Sequence, residues 1–262
     1  MATAAIAVRP QSLGLRYYTH VVVQETRYEF LKMLRAKAFS LSVIGFPVMF
    51  YLIFGITNHH VEYARYLLAS YSCFGMVGAA LFGLGAGIAM ERAQGWLELK
   101  QASPMPRIVY LVAKTATCAA FALIIVACLL VLGLTMGGVT MTALEVLKLI
   151  AVTLAGTLPF AAMGLLISFL MPPNAGPGFI NIIYLPMSFA SGLWMPIYML
   201  PHWIQKFAPF LPTYHYAQLA LNIFGYAQAG TTMLIHWEAL VGFTCLLLGA
   251  AWLVFTRSEA KA

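Results

Sequence analysis

The sequence contains no aspartate, and aspartate and glutamate together supply only 8 of its 262 residues. Charged residues make up 9% of the chain and hydrophobic ones 62%. Soluble globular domains carry about 25% charged and roughly 45–50% apolar residues, so this composition excludes an ordinary water-soluble fold. Other absences exclude chemistries. No G-x-x-x-x-G-K-[ST] stretch occurs, so the chain has no loop of its own to cradle nucleotide phosphates. Cys73, Cys118, Cys128 and Cys245 sit in apolar runs without Cys-x-x-Cys spacing and read as packing residues, not as metal or redox groups. Ser191-Gly192 lacks a G-x-S-x-G frame, and no histidine falls in an expected span to serve as its base. His59, His60 and Glu62 have a metal-like composition, but no second cluster completes a four-ligand site, and they read as a solvated loop. Lys114 is the one clear charge inside an apolar run, close enough to its end to snorkel to water. A gradient-driven carrier binds its coupling ion on intramembrane ionisable groups, and these are scarce here.

Long apolar runs are what the sequence has in abundance. They cover 39–56, 67–90, 108–136, 147–171, 179–194 and 239–255. A helix needs roughly 20 residues at about 1.5 Å each to cross about 30 Å of hydrocarbon. Barrel strands would alternate apolar and polar residues, whereas these runs are apolar on all sides. The expected fold is an all-α integral membrane protein with six transmembrane helices in a single domain, 1–262.

Lysine and arginine sort the connections. Arg9, Arg16, Arg27, Lys32, Arg35, Lys37, Arg92, Lys100, Arg107, Lys114, Arg257 and Lys261 fall on one side of the six runs, against Arg65, Lys148 and Lys206 on the other. Positive residues stay in the cytoplasm, so both termini and the 91–107 loop are expected there, in an inner (plasma) membrane. The net charge of +7 reflects this orientation and not a nucleic-acid surface. The first apolar run begins only near Phe39, behind a long charged segment, and no cleavable leader is expected.

Three segments outside the runs are patterned. Residues 18–37 place Val22, Val23, Phe30, Met33 and Leu34 on one helical arc and His20, Arg27, Lys32 and Arg35 on the other, as in a helix lying on anionic lipid. Residues 195–216 carry Trp203, Phe207, Phe210, Tyr214 and Tyr216, interrupted by Pro209 and Pro212, and suit short re-entrant helices at the outer interface. Between the second and third runs, Trp96, Leu97 and Leu99 alternate with Glu91, Arg92, Glu98 and Lys100. That is a short amphipathic helix ended by Ser103-Pro104, because proline disfavours helix in the residue before it.

This last segment resembles the loop between the second and third spans of type 2 ABC exporter permeases, E-R-x-x-G-x-L-E-x-x-x-x-S-P-x-x-R. It matches at Glu91, Arg92, Gly95, Leu97, Glu98, Ser103, Pro104 and Arg107. Ser191-Gly192-Leu193-Trp194-Met195-Pro196, Leu200-Pro201, and Pro209 to Ala217 are similar to the family's region after the fifth span. The resemblance implies a half-permease that pairs with a second permease copy or a homologue and with two cytoplasmic ABC ATPase subunits. ATP and magnesium would bind on those partners, with no cofactor in this chain. It further implies that 91–107 is a coupling helix, with Trp96 and Leu97 filling an apolar groove of the ATPase while Glu91 and Glu98 set register. A gradient-driven carrier and a non-transport membrane scaffold are the alternatives.

Overall fold

The computed structural model describes residues 15–58, 60–102, 105–172, 176–228 and 230–259, and every regular element among them is helical. Helix α1 (Leu15–Arg35) is followed by α2 (Lys37–Phe50), which runs on through a π segment, Tyr51–Ile56. Helix α3 (Val61–Ala80) continues through a second π segment, Leu81–Ala86, into α4 (Gly87–Ala93). Then come α5 (Trp96–Ala102), α6 (Arg107–Thr135), α7 (Ala143–Ala155), α8 (Thr157–Leu170) and α9 (Gly176–Ala190). The chain closes with α10 (His202–Phe207), α11 (Pro212–Asn222) and α12 (Met233–Glu259).

Five helical stretches are long and apolar enough to cross a membrane: Lys37–Ile56, Val61–Ala93, Ile108–Thr135, Ala143–Leu170 and Met233–Phe255. The apolar helix Pro177–Ala190, where a sixth span was expected, is shorter. Val61–Ala93 is the axis of the bundle, with its most apolar window 83% buried, against 22% for Lys37–Ile56 and 11% for Met233–Phe255. Small residues make that central place possible. A Cβ on Gly164 of α8 would lie 2.9 Å from the Ala80 carbonyl and 3.2 Å from the Gly85 nitrogen, and backbone cannot yield. A Cβ on Gly83 would likewise lie 2.8 Å from the Cys118 sulfur and 3.0 Å from the Met33 methyl.

The helices depart from the apolar runs for identifiable reasons. Helix α3 begins at Val61, six residues before the expected 67, because its polar first turns are held by tertiary contacts. Arg65 pairs with Glu145 at 2.6 Å, Tyr66 donates to the Gly192 carbonyl at 2.6 Å, and Glu62 accepts from Tyr226. The expected fourth span is two helices broken at Gly156, where Pro159 has no N–H for the carbonyl of Ala155. The Tyr216 ring fills the space over that break, and its hydroxyl donates to the Thr153 carbonyl at 3.2 Å. A Gly156→Ala side chain would meet this ring at 2.4 Å. We expect it to destabilise the protein by about 1–3 kcal/mol, as overpacking does, read as a lower melting temperature in detergent.

The segment after α9 is only partly a surface. Trp203, Phe207 and Phe210 are exposed, whereas α11 is buried from Pro212 to Leu221 among α3, α7 and α12. A histidine pair ties it to α12. His215 Nε2 donates to the Pro209 carbonyl at 2.8 Å, which leaves its Nδ1 to accept from His236 Nδ1 at 2.9 Å. His236 Nε2 then accepts from the Thr231 hydroxyl at 3.1 Å.

Candidate functional site

A cleft of about 1070 Å³ opens between α1, α2, the α3–α4 axis and α9. One end is aromatic. Phe74 and Tyr184 stack at 4.8 Å, Trp194 meets Phe50 at 5.6 Å and Phe74 at 6.0 Å edge-on, and Phe46 and Phe82 continue the wall. Tyr184 donates to the Phe74 carbonyl at 2.8 Å, while the buried indole N–H of Trp194 has no partner among the described residues.

The other end is ionic. Lys114 is 1% exposed and donates to Glu29 at 2.5 Å and to Glu91 at 3.1 Å. Both carboxylates are themselves buried, Glu29 at 4% and Glu91 at 5% exposure. Glu91 also accepts from Tyr110 at 2.5 Å and from Lys32, which reaches Glu29 at 3.5 Å as well. Nearby, Lys100 pairs with Glu25 at 2.5 Å and lies 4.6 Å from the centre of the Tyr110 ring. Burial works against the charge of Lys32, but the carboxylates of Glu91 and Glu29 outweigh it and raise its pKa. A buried ammonium held by two carboxylates, one of which also accepts from a phenol, is satisfied as a unit, and removing one member would leave the others uncompensated.

This arrangement corrects the expectation that Lys114 snorkels. Its ammonium turns inward and binds α1 to the junction of α4 and α6. The sequence signal was visible in part, because Glu91 and Lys114 fall near the ends of apolar runs, whereas Glu29 lies ten residues before the first run. Nothing in the spacing says that three chain-distant charges converge.

The residues expected to couple to a partner divide into two groups. Glu91 faces inward, and Arg92 donates to the Met171 carbonyl at 3.0 Å, placing a cation at the C-terminal end of α8. Gly95 takes a φ of 73°, the left-handed conformation that lets the chain turn from α4 into α5. Leu97 is half-buried against the cluster of Leu84, Ile88, Tyr110, Cys118 and Ala161. Trp96 and Leu99 remain 55% and 65% exposed. Helix α6 starts at Arg107, while Ser103, Pro104 and the side chains of Glu98 and Arg107 lie outside the described residues.

On α1, Val23, Arg27, Leu34 and Arg35 are exposed, and Phe30 packs against Phe121 at 5.4 Å. Lys32, expected to reach for lipid, is engaged by Glu91 and Glu29. The helix ends at Arg35, short of the expected 37.

Comparison with known proteins agrees with this architecture. The family model for the ABC-2 type transporter matches residues 21–224. A Bacillus subtilis (strain 168) protein named as a transport permease, YvfS, is 27% identical over 209 residues, covering 78% of this chain and 85% of its own. A protein of Pyropia yezoensis, named as the transport permease ycf38, is 23% identical over 252 residues, covering 90% of this chain and 81% of its own.

Proposed function

The chain belongs to the ABC-2 type transporter family, and from that premise we propose that it is the transmembrane subunit of an ATP-driven exporter. It is a multi-pass membrane protein of the permease kind, like the relatives it matches. In this reading two permease chains, identical or homologous, form the pathway and two ABC ATPase subunits bind ATP and magnesium on the cytoplasmic side. The chain itself carries no enzymatic activity. Six crossings are completed by α9, whose 15 residues span about 22 Å at 1.5 Å each, together with the turn that follows it. Helix α10 and the start of α11 dip back from the outer surface, α1 lies at the cytoplasmic headgroups, and both termini are cytoplasmic in the inner membrane.

The observation that carries the reading is the cleft, ionic at the α1 end and aromatic at the other. Its polarity follows that of a bilayer leaflet and suits an amphipathic cargo, drug-like or lipid-like. Purification from native membranes in mild detergent is expected to yield the permease together with a nucleotide-binding chain, and amphiphiles are expected to stimulate that complex's ATP hydrolysis. A monomeric permease that repeatedly purifies alone would overturn the proposal.

A gradient-driven carrier is the second reading, favoured by the buried Lys114, Glu29 and Glu91. Each of those carboxylates is already held by a cation, so a proton arriving there would have to break an ion pair. Transport that persists without ATP and stops with a protonophore would support the carrier. Orientation has its own test. In a background with the native cysteines replaced by serine, an impermeant thiol reagent added outside is expected to modify His60→Cys and spare Glu98→Cys, and the reverse pattern would invert the topology.

A further inference from the structure

The cleft carries more information than its polarity. Its lining follows the axis helix from Phe74 to Glu91, 17 residue-to-residue steps and so about 25 Å at 1.5 Å each. That approaches the roughly 30 Å thickness of a hydrocarbon core, and the volume of about 1070 Å³ lies just above the roughly 300–1,000 Å³ usual for small-molecule pockets. A long chain fits this shape better than a compact molecule.

Among the described residues the ionic end is balanced. They supply three carboxylates, Glu25, Glu29 and Glu91, and three ammonium groups, Lys32, Lys100 and Lys114, and each of these carboxylates is engaged by a cation. A headgroup with net charge would bring an unmatched ion into a partly desolvated site, which costs free energy that a headgroup carrying its own counter-charge avoids. The rim adds two exposed aromatic side chains, Tyr28 and Trp96, whose ring faces attract an ammonium group.

We propose that the cleft accepts one long-chain amphiphile with a zwitterionic headgroup, its ammonium toward Glu25 and the Tyr28 and Trp96 rings, its phosphate toward Lys32, and its chain along α3 to Trp194. This rests on the reading of the cleft as the cargo site. The phosphate exchanges with Glu91 and Glu29 for the ammonium of Lys32, which is 55% exposed and needs no burial to meet it. The chain end lies among Phe74, Tyr184 and Trp194.

The test uses the purified complex and three probes with the same long chain and a diazirine at its tip, bearing phosphocholine, phosphate alone or trimethylammonium. Labelled peptides from α3 and α9 report occupancy. The phosphocholine probe is expected to label them with an apparent affinity at least about tenfold above both probes of net charge, the phosphate monoester at about −1.5 to −2 and the trimethylammonium at about +1. Lys32→Gln leaves the mouth one positive charge short and is expected to shift preference toward trimethylammonium. Glu25→Gln does the opposite and is expected to favour the phosphate probe. Equal labelling by all three probes in every variant overturns the headgroup assignment while leaving the cleft as a cargo site. Labelling of neither helix by any probe, as when a second copy of the chain covers the cleft, removes the cargo site and this inference with it.

Discussion

Lys114→Met is expected to lower stability by about 3 kcal/mol, the lower end of the cost of breaking a buried ion pair from one side. The substitution leaves the buried carboxylates of Glu29 and Glu91 sharing only Lys32, which is half in solvent. In a chain of this size the melting temperature should fall by on the order of 10 °C, measured in detergent or nanodiscs. Adding Glu29→Gln removes the surplus negative charge and leaves Glu91 with Lys32 and Tyr110, so the double variant is expected to recover most of the loss. If the single and double variants melt together, Lys114 contributes packing and not charge compensation, and the ionic end of the cleft is less desolvated than its burial indicates.

The parts of this molecule that follow from local pattern were legible before any coordinates. Apolar runs located the five helices long and apolar enough to cross a membrane, because burial in hydrocarbon acts on each residue independently of its neighbours in space. The same independence explains the errors. Val61 to Tyr66 contain a glutamate and an arginine, so hydropathy ended the run at 67, yet Arg65 is neutralised by Glu145 from a helix 80 residues away in sequence. Gly156 and Pro159 carried a visible break signal, but the Tyr216 ring that occupies the break comes from another element. Residues 214 and 216 scored as interfacial aromatics by composition and are buried, because α11 inserts beside the axis helix.

The coupling segment shows the same division at finer scale. Its alternation of apolar and charged residues points to a short helix, a feature that depends on neighbours within a few residues, and α5 forms at Trp96–Ala102. Helical phase then decides what each side chain meets. Leu97 falls on the side of α5 that packs against the cluster containing Ile88 and Tyr110, whereas Leu99 is exposed and Trp96, also exposed, stands at the rim of the cleft. Leu97, a residue of the family motif, is thus a poor candidate for contact with another protein, and Leu99, outside the motif, is a better one.

That distinction gives the second large effect. On the proposal that α5 docks in an ATPase groove, exposed apolar side chains are the anchors, and truncating an anchor costs roughly 2 kcal/mol or more of association, about 30-fold in affinity. Leu99→Ala is expected to weaken ATPase binding by about that factor and to reduce amphiphile-stimulated ATP hydrolysis, with the melting temperature of the isolated permease unchanged. Trp96→Ala should do the same and also disturb the rim of the cleft. Leu97→Ala is expected to behave oppositely. It removes a half-buried side chain from the protein's own cluster, so it should cost about 1–2 kcal/mol of permease stability and leave a smaller effect on binding per folded molecule. If α5 rests on lipid headgroups instead, neither Leu99→Ala nor Trp96→Ala alters ATPase affinity. Wild-type affinity and stimulation in both variants, measured on the reconstituted complex, would remove the basis for reading α5 as the coupling helix.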